Sequence, residues 1–357
     1  MSLKVAIVGL GRIGRGVLRT NFSQQSGGRH QICVVCDVMT IDHVAYLLAN
    51  DSTYGRPPFQ VECDGNDLIL DGKRIRYQRV DRRRSGPSEH GLDSLKEFDL
   101  DVLFDATGTA SINDFRTILE RGIARKVLCT WNVTGCDISI VYGVNQADYL
   151  PDKHHVISAS TCTGNAMVPI CHILDKHFGI VSARIATIHP QLSDQRVLDG
   201  YHSSSQLGRG CAASIIPTGT NVAKSTALVL PNLAGKLEAV SYRVPTAIVS
   251  VIDFTAYLAT DASRDQCIEL FERYANNQLS GIICCDYGAW GHQKASIDYM
   301  RTDFSAILLM AQLTINQNKQ IGLSIMHDNE HAYSCRVLDV LGLLKSATQN
   351  HSAQSSE

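Results

Sequence analysis

The chain has 357 residues, 44% of them hydrophobic, with a formal net charge of −2 and an isoelectric point near 6.7. That length and apolar content suffice for about two domain cores, and the near-neutral balance offers neither a large basic face for nucleic acid nor a strongly acidic one. No apolar run reaches the length of a membrane span, and the start MSLKVAIVG lacks the charged-then-apolar layout of a secretion signal, so a cytoplasmic setting is expected, with no membrane or nucleic-acid partner.

In chain order, LKVAIVG reads as an apolar strand, RIGRGVLRTNF has helical spacing and QICVVCD is a second strand, together a βαβ unit. IDHVAYLLAN is helical, DLILDG and RIRYQRV are strand-like, LDVLFDAT is a buried strand, SINDFRTILERG a helix, and KVLCTWN and ISIVYGVN strands. A parallel, doubly wound sheet accounts for this order and predicts a Rossmann-type domain over residues 1–157. From residue 180 the segments lengthen and alternate: ARIATIHPQLS, AVSYRVPTAIVSVIDFTAYL and ASIDYMRTDFSAILL, with helices between them. They predict a second, α+β domain on an antiparallel or mixed sheet, residues 158–326. The fold class is therefore α/β, with a C-terminal α+β domain. RYQRVDRRRSGPSEHG, residues 76–91, reads as a solvated loop, and residues 347–357 lack apolar periodicity and are expected to be a disordered tail.

Twelve cysteines are scattered without a framework spacing, and most read as buried thiols. Cys33 and Cys36 form a CxxC, but residues three apart on a strand point to opposite faces, which argues against a redox or zinc pair. Cys284 and Cys285 have no ligand-spaced neighbours, read as core, and no metal site is expected.

Two stretches carry chemistry. GLGRIGR follows the first strand and opens the first helix, so Gly9 makes the tight turn, Gly11 admits a pyrophosphate and Gly14 lets helix and strand pack closely. Asp37 ends the second strand, where a carboxylate binds an adenosine ribose and repels a 2′-phosphate, which selects NAD over NADP. In SASTCTGNAMVP, residues 158–169, Cys162 stands at a helix start, where peptide dipoles favour the thiolate. Asn165 and Thr163 are candidates to cap that turn or face an oxyanion, and Pro169 requires that the helix begin nearby.

GLGRIGR and STCTGN resemble the GFGRIGR start and catalytic ASCTTN segment of the glyceraldehyde-3-phosphate dehydrogenase family. The likeness continues through YGVN, HPQLSDQR, GRGCAASIIP, RVPT and HDNEHAYS, nearly the whole chain. It implies an NAD-dependent oxidoreductase with Cys162 as nucleophile and His189 as its base, oxidising a phosphorylated aldehyde through a thiohemiacetal and a thioester. It also implies cofactor contacts at Gly9, Gly11, Arg12, Ile13, Gly14, Asp37, Thr107, Gly108, Thr130, Asn329 and Tyr333. Substrate contacts are implied at Thr161, Thr163, Asp194, Arg196, Thr220, Asn221 and Arg243, the last as the phosphate-binding arginine. A homotetramer follows from the family, as does a C-terminal helix, residues 327–346, packed on the NAD domain.

Departures from the family pattern bear on the substrate. Leu192 stands where a phosphate-binding threonine is usual, Asn221 replaces the glycine after Thr220, Thr130-Trp131-Asn132 replaces a serine-alanine-proline turn, and Val8 replaces an asparagine. The first two, with YHSSS and the triplet at Ser305, are similar to the erythrose-4-phosphate dehydrogenase branch, whose thioester is released to water. The leading expectation is oxidation of erythrose 4-phosphate to 4-phosphoerythronate. Phosphorylating glyceraldehyde-3-phosphate oxidation stays open, as do another anionic aldehyde, through a pocket reshaped by Leu192 and Trp131, and a catalytically retired NAD-binding paralogue.

Overall fold

The computed structural model describes residues 3–24, 28–81 and 92–354. Its strands and helices run β1 (Lys4–Val8), α1 (Arg12–Gln24), β2 (Gln31–Asp37), α2 (Ile41–Ala49), β3 (Val61–Asp64), β4 (Asp67–Leu70), β5 (Lys73–Arg79), β6 (Leu100–Asp105), α3 (Ile112–Glu120), β7 (Ala124–Cys129), β8 (Ile138–Ser139), β9 (Val156–Ser158) and α4 (Cys162–Phe178). The chain continues through β10 (Ile180–Pro190), β11 (Ile216–Thr218), α5 (Val222–Val229), β12 (Leu237–Val244), β13 (Ser250–Leu258), α6 (Arg264–Asn276), β14 (Ile283–Asp286), β15 (Ala306–Leu309), β16 (Thr314–Asn316), β17 (Gln320–His327) and α7 (His331–Gln354). These divide into two compact units, residues 1–160 with 334–357, and residues 161–333.

The first unit is built on a sheet of order β3-β4-β5-β2-β1-β6-β7-β9-β8. From β5 to β8 each strand runs parallel to its neighbour. β1 and β6 are apolar on both faces, as a sheet with helices on either side requires. The edge departs from the all-parallel expectation: β3, β4 and β5 pair antiparallel. The stretch ISIVYGVN keeps only two residues of strand. Asn145 ends it, its Oδ1 accepting from the Val141 N–H at 2.9 Å and its Nδ2 donating to the Ser139 carbonyl at 2.9 Å, and Gly143 turns the chain at φ +96°. Of the basic stretch 76–91, the first residues belong to β5, while 82–91 lie outside the described residues.

Helix α7 starts on an Asx turn in which Asp328 Oδ1 accepts from the Glu330 and His331 N–H groups at 3.0 and 2.8 Å. It runs past Leu344, where apolar periodicity ends, to Gln354. Within the first unit Arg29 pairs with Asp339 at 2.7 Å, and His30 Nε2 donates to the Leu338 carbonyl at 2.9 Å.

The second unit carries a mixed sheet, β11-β12-β10-β13-β17-β15-β14, with β16 on β17. ASIDYMRTDFSAILL, read above as one alternating segment, is a 3₁₀ turn over Ser296–Tyr299, a left-handed Arg301 (φ +65°) and the wholly buried β15. Asp298 accepting from Ala295 N–H and Asp328 accepting from Arg301 N–H divert that backbone from a ladder. Along β10, Ala183, Ile185, Thr187 and His189 are buried while Val181, Ser182 and Arg184 are exposed; β13 buries Ser250, Ile252, Phe254, Ala256 and Leu258. This period-two pattern gives the sheet one inner face, and α4 packs against β10, β13, β15 and β17.

Candidate active site

The nucleotide cradle is made by backbone. Gly9 sits at φ +93°, and a Cβ there would meet the Thr107 nitrogen at 2.8 Å; a Cβ on Gly14 would lie 1.9 Å from the Gly9 carbonyl oxygen. Both positions therefore exclude any larger residue. Gly11, by contrast, has open space where its Cβ would be, which is room for a pyrophosphate at the start of α1. A cleft of about 280 Å³ is lined here by Val8, Gly9, Gly11, Asp37, Ala106 and Thr107, among others. Asp37 borders it, with Oδ2 accepting from Leu10 N–H at 2.5 Å and Oδ1 from Met39 N–H at 3.0 Å, so the carboxylate is held at the mouth of the fingerprint turn. Val38, Val80, Asp81 and Thr109 also line the cleft, and sequence reading gave them no part in it.

Other expected cofactor residues fall in two groups. Arg12 opens α1, but its guanidinium is 2.6 Å from Asp51 and lies over the Tyr54 ring, while Ile13 is half-buried behind it. Thr107 donates to Asp105 from N–H and Oγ1, and Gly108 follows at φ +68°. Thr130 stands just after β7. Its neighbour Trp131 packs its indole on Phe115, 5.8 Å between centroids, and lies partly buried against the core of the first unit. Asn132 Oδ1 accepts from both Ser139 and Ser158 hydroxyls at 2.9 Å. In the second unit Asn329 and Tyr333 are buried, and Asn329 Oδ1 has no hydrogen-bond partner.

Cys162 is the first residue of α4. Thr161, not Thr163 or Asn165, is the N-cap: its Oγ1 accepts from Gly164 N–H at 3.0 Å. Asn165 Nδ2 donates back to the Thr161 carbonyl at 3.0 Å. Ser160, just before, is held at φ +58°, a strained setting for a residue with a side chain that no sequence signal announces. Pro169 lies inside α4, deeper than expected. The Cys162 thiol has Thr163 Oγ1 at 3.8 Å. Burial pushes its pKa up; the Thr163 contacts and the Arg243 charge oppose this without reversing it. The lowering expected from the helix start is thus overridden by desolvation.

His189 is the next-to-last residue of β10 and is 7% exposed. Its Nδ1 lies 2.8 Å from the Pro190 carbonyl oxygen, which only accepts, so Nδ1 carries the proton and Nε2 is the basic nitrogen. Burial, opposed by that carbonyl and reinforced by Arg243, lowers its pKa to about 4. The β10–β12 register sets His189 directly beside Arg243. Arg243 in turn lies within electrostatic reach of Cys162 and Asp194, and its buried Nε has no hydrogen-bond partner. A guanidinium with an unmet Nε donor beside a thiol and an imidazole is suited to an anionic substrate.

The remaining substrate candidates are more dispersed. Asp194 is exposed, and Arg196 Nε donates to the Tyr201 carbonyl at 3.0 Å on a loop. Thr220 Oγ1 accepts from Val222 N–H at 3.3 Å, and Asn221 begins α5 at φ −99°, an unstrained angle for a side-chain-bearing residue. Leu192 is 36% exposed, and its N–H donates to Gln195 Oε1 at 2.8 Å.

A fingerprint turn with room for a pyrophosphate, ending at a strand that presents a carboxylate, is how α/β oxidoreductases hold NAD, and this protein is an NAD-dependent dehydrogenase. Residues 3–112 match the family described as glyceraldehyde 3-phosphate dehydrogenase, NAD binding domain, and residues 161–329 match its C-terminal domain. Glyceraldehyde-3-phosphate dehydrogenase 2 of Bacillus subtilis is 32% identical over 341 residues, 96% of either chain. The glyceraldehyde-3-phosphate dehydrogenase of Geobacillus stearothermophilus is 35% identical over 350 residues, covering 97% of this chain and 99% of its own. That of Kitasatospora aureofaciens is 34% identical over 342 residues, 96% and 98% respectively. The chain belongs to the glyceraldehyde-3-phosphate dehydrogenase family and acts as an NAD-dependent dehydrogenase of phosphorylated aldehydes.

Proposed function

We propose that the protein oxidises D-erythrose 4-phosphate to 4-phosphoerythronate through a Cys162 thioester that water resolves. His189 Nε2 takes the thiol proton and the sulfur attacks the aldehyde carbon. Bound NAD would supply the hydride acceptor that oxidation of the thiohemiacetal to the thioester needs. Thr161 keeps the first turn of α4 in place, and backbone N–H groups there face the developing oxyanion together with Thr163. Arg243, with its unmet Nε donor, anchors the substrate phosphate, with Thr220 and the Asp194–Arg196 loop around it. Asn329, whose Oδ1 lacks a partner, is assigned to the cofactor's carboxamide and Tyr333 to the same neighbourhood.

The observation that carries the hydrolytic reading is Leu192. Its side chain has no donor and its own N–H is already given to Gln195, so this position adds nothing to an inorganic phosphate site. Asn221 adds bulk where close backbone approach is needed. Loss of a hydrogen bond to a charged group weakens binding by about 1.5 to 3 kcal/mol, roughly 10- to 150-fold, so phosphate competes poorly with water. The expected result is steady NADH formation over many turnovers in phosphate-free buffer, fastest with D-erythrose 4-phosphate in a panel of phosphorylated aldehydes. A burst that stops at one equivalent per site, relieved by inorganic phosphate, transfers the assignment to phosphorylating glyceraldehyde-3-phosphate oxidation; glyceraldehyde-3-phosphate dehydrogenase is the name the relatives carry.

We further assign a cytoplasmic homotetramer. The support is the outer face of the second sheet, which exposes Tyr242 on β12 and Tyr257 on β13, the strands flanking β10. No helix among the described residues is long and apolar enough to cross a membrane. Light scattering at micromolar concentration tests the tetramer, and a monomer rejects it.

A further inference from the structure

Four polar residues stand in one row on the inner face of the second sheet. Arg243 on β12 pairs with His189 on β10. Ile188 pairs with Val251 on β13, which brings His189 opposite Ser250, and Ser250 pairs with His327 on β17. Directly opposed residues share a face, so all four side chains project to the side on which α4 packs. Arg243 and His189 are already assigned; Ser250 and His327 are not. They are 0% and 1% exposed, and neither Ser250 Oγ nor His327 Nε2 has a hydrogen-bond partner. Thr187 Oγ1, two residues before His189 on the same face, is likewise buried and unpartnered.

Orphaned buried polar atoms are rare because each forfeits its hydration without replacement. Three of them grouped around a base mark a place that holds water or a ligand when the site works. The charged and titratable groups around His327 suit a neutral occupant. His189 on β10 is within electrostatic reach, Arg243 on β12 and Cys162 on α4 stand beyond it, β13 offers only the Ser250 hydroxyl in the row, and β15 presents Ala306 opposite. Burial first, then the neighbouring His189, lowers the His327 pKa to about 3, so the ring is an uncharged hydrogen-bonding group at neutral pH.

We propose that Ser250 and His327 are positioning residues for the water that resolves the Cys162 thioester; this rests on the hydrolytic reading above. Once His189 Nε2 has released the proton of the acylation step to solvent, the water, hydrogen-bonded by the Ser250 hydroxyl and the His327 ring, gives a proton to that nitrogen as its oxygen bonds to the acyl carbon. The carbon–sulfur bond then breaks, sulfur leaves as thiolate, and the product departs as a carboxylate after losing its remaining proton. No electron leaves or enters in this step.

The test compares wild type with Ser250→Ala, His327→Leu and His327→Gln in phosphate-free buffer with D-erythrose 4-phosphate and NAD, recording the NADH burst and the steady rate separately. Each of the first two is expected to keep a burst of one equivalent per site and to lose roughly three- to tenfold in steady rate, as for one lost hydrogen bond. His327→Gln, whose amide reaches the place of Nε2, recovers most of that loss. Hydroxylamine, a nucleophile that needs no held water, restores turnover of His327→Leu. The melting temperatures of Ser250→Ala and His327→Leu stay level or rise, because an orphaned polar group has been removed; a structural role predicts a fall. Burst and steady rate declining together, an unchanged steady rate, or no rescue by hydroxylamine each overturns the proposal. A wild-type enzyme that itself stops after one burst removes the hydrolytic reading instead, before any variant is measured.

Discussion

At Cys162 two influences oppose each other: the start of α4 and the Arg243 charge favour a thiolate, while burial favours the thiol and prevails in the ligand-free protein. The sign follows directly. A raised pKa means that the thiolate fraction at neutral pH is below that of an exposed cysteine and grows as pH rises. Iodoacetamide is therefore expected to alkylate Cys162 at a rate that climbs through the ordinary thiol range without levelling near pH 6 to 7; such a plateau indicates a preformed imidazolium–thiolate pair and contradicts this picture. His189, held neutral by burial with Nδ1 fixed on Pro190, is the group proposed to take the thiol proton during attack. His189→Asn is expected to slow the NADH burst by roughly 10²- to 10⁴-fold, the range for a lost general base, and a burst at the wild-type rate removes His189 from that role.

Among elements, the junction of β1, α1 and β2 is the place proposed to set cofactor choice. The glycine turn leaves open space at Gly11 for a dinucleotide's phosphates, and the Leu10 and Met39 amides hold the Asp37 carboxylate at the cleft. A 2′-phosphate brought to that carboxylate meets like charge. Asp37→Ala is expected to lower NAD preference over NADP by at least about tenfold, the scale of one such repulsion. Steady-state kinetics with both cofactors measures it, and an unchanged ratio shows that the selecting group lies elsewhere. The variant also frees the backbone amides of Leu10, in the turn between β1 and α1, and of Met39, just after β2, so its melting temperature belongs in the same experiment.

For the whole molecule, acid is the condition its histidines oppose. His30 in the first unit has a pKa lowered to about 4, chiefly by burial, and His189 and His327 in the second reach about 4 and about 3. An unfolded histidine titrates near 6.5. Because each folded value is depressed, the unfolded chain takes up protons first as pH falls, so the stability is full above about pH 6.5 and is lost progressively toward pH 4. Each pH unit in that window removes about 1.4 kcal/mol per histidine, as an order of magnitude. The denaturation midpoint in guanidinium is expected to fall clearly between pH 7.5 and pH 5. His30→Gln, which spares the second unit, should shallow the loss in the first. A midpoint unchanged over this range sinks the prediction.

The sequence by itself determined the βαβ start, the glycine turn, Asp37 and the helix that begins at Cys162, because each is written in neighbouring residues as a period, a turn or a cap. The ordered motifs from GLGRIGR to HDNEHAYS also carried the family. What only the tertiary structure decided is the setting of those groups. Residues 189, 243, 250 and 327 meet through strand register across long stretches of chain, which no local pattern encodes. The thiol pKa rises rather than falls because desolvation depends on everything packed around Sγ, whereas the dipole argument sees only α4. Trp131 was legible as a departure but not as a residue packed against the core, since Phe115 lies on another element. ASIDYMRTDFSAILL alternates like a strand yet bends, because the carboxylates of Asp298 and Asp328, one of them nearly thirty residues away, take the amides that a ladder needs.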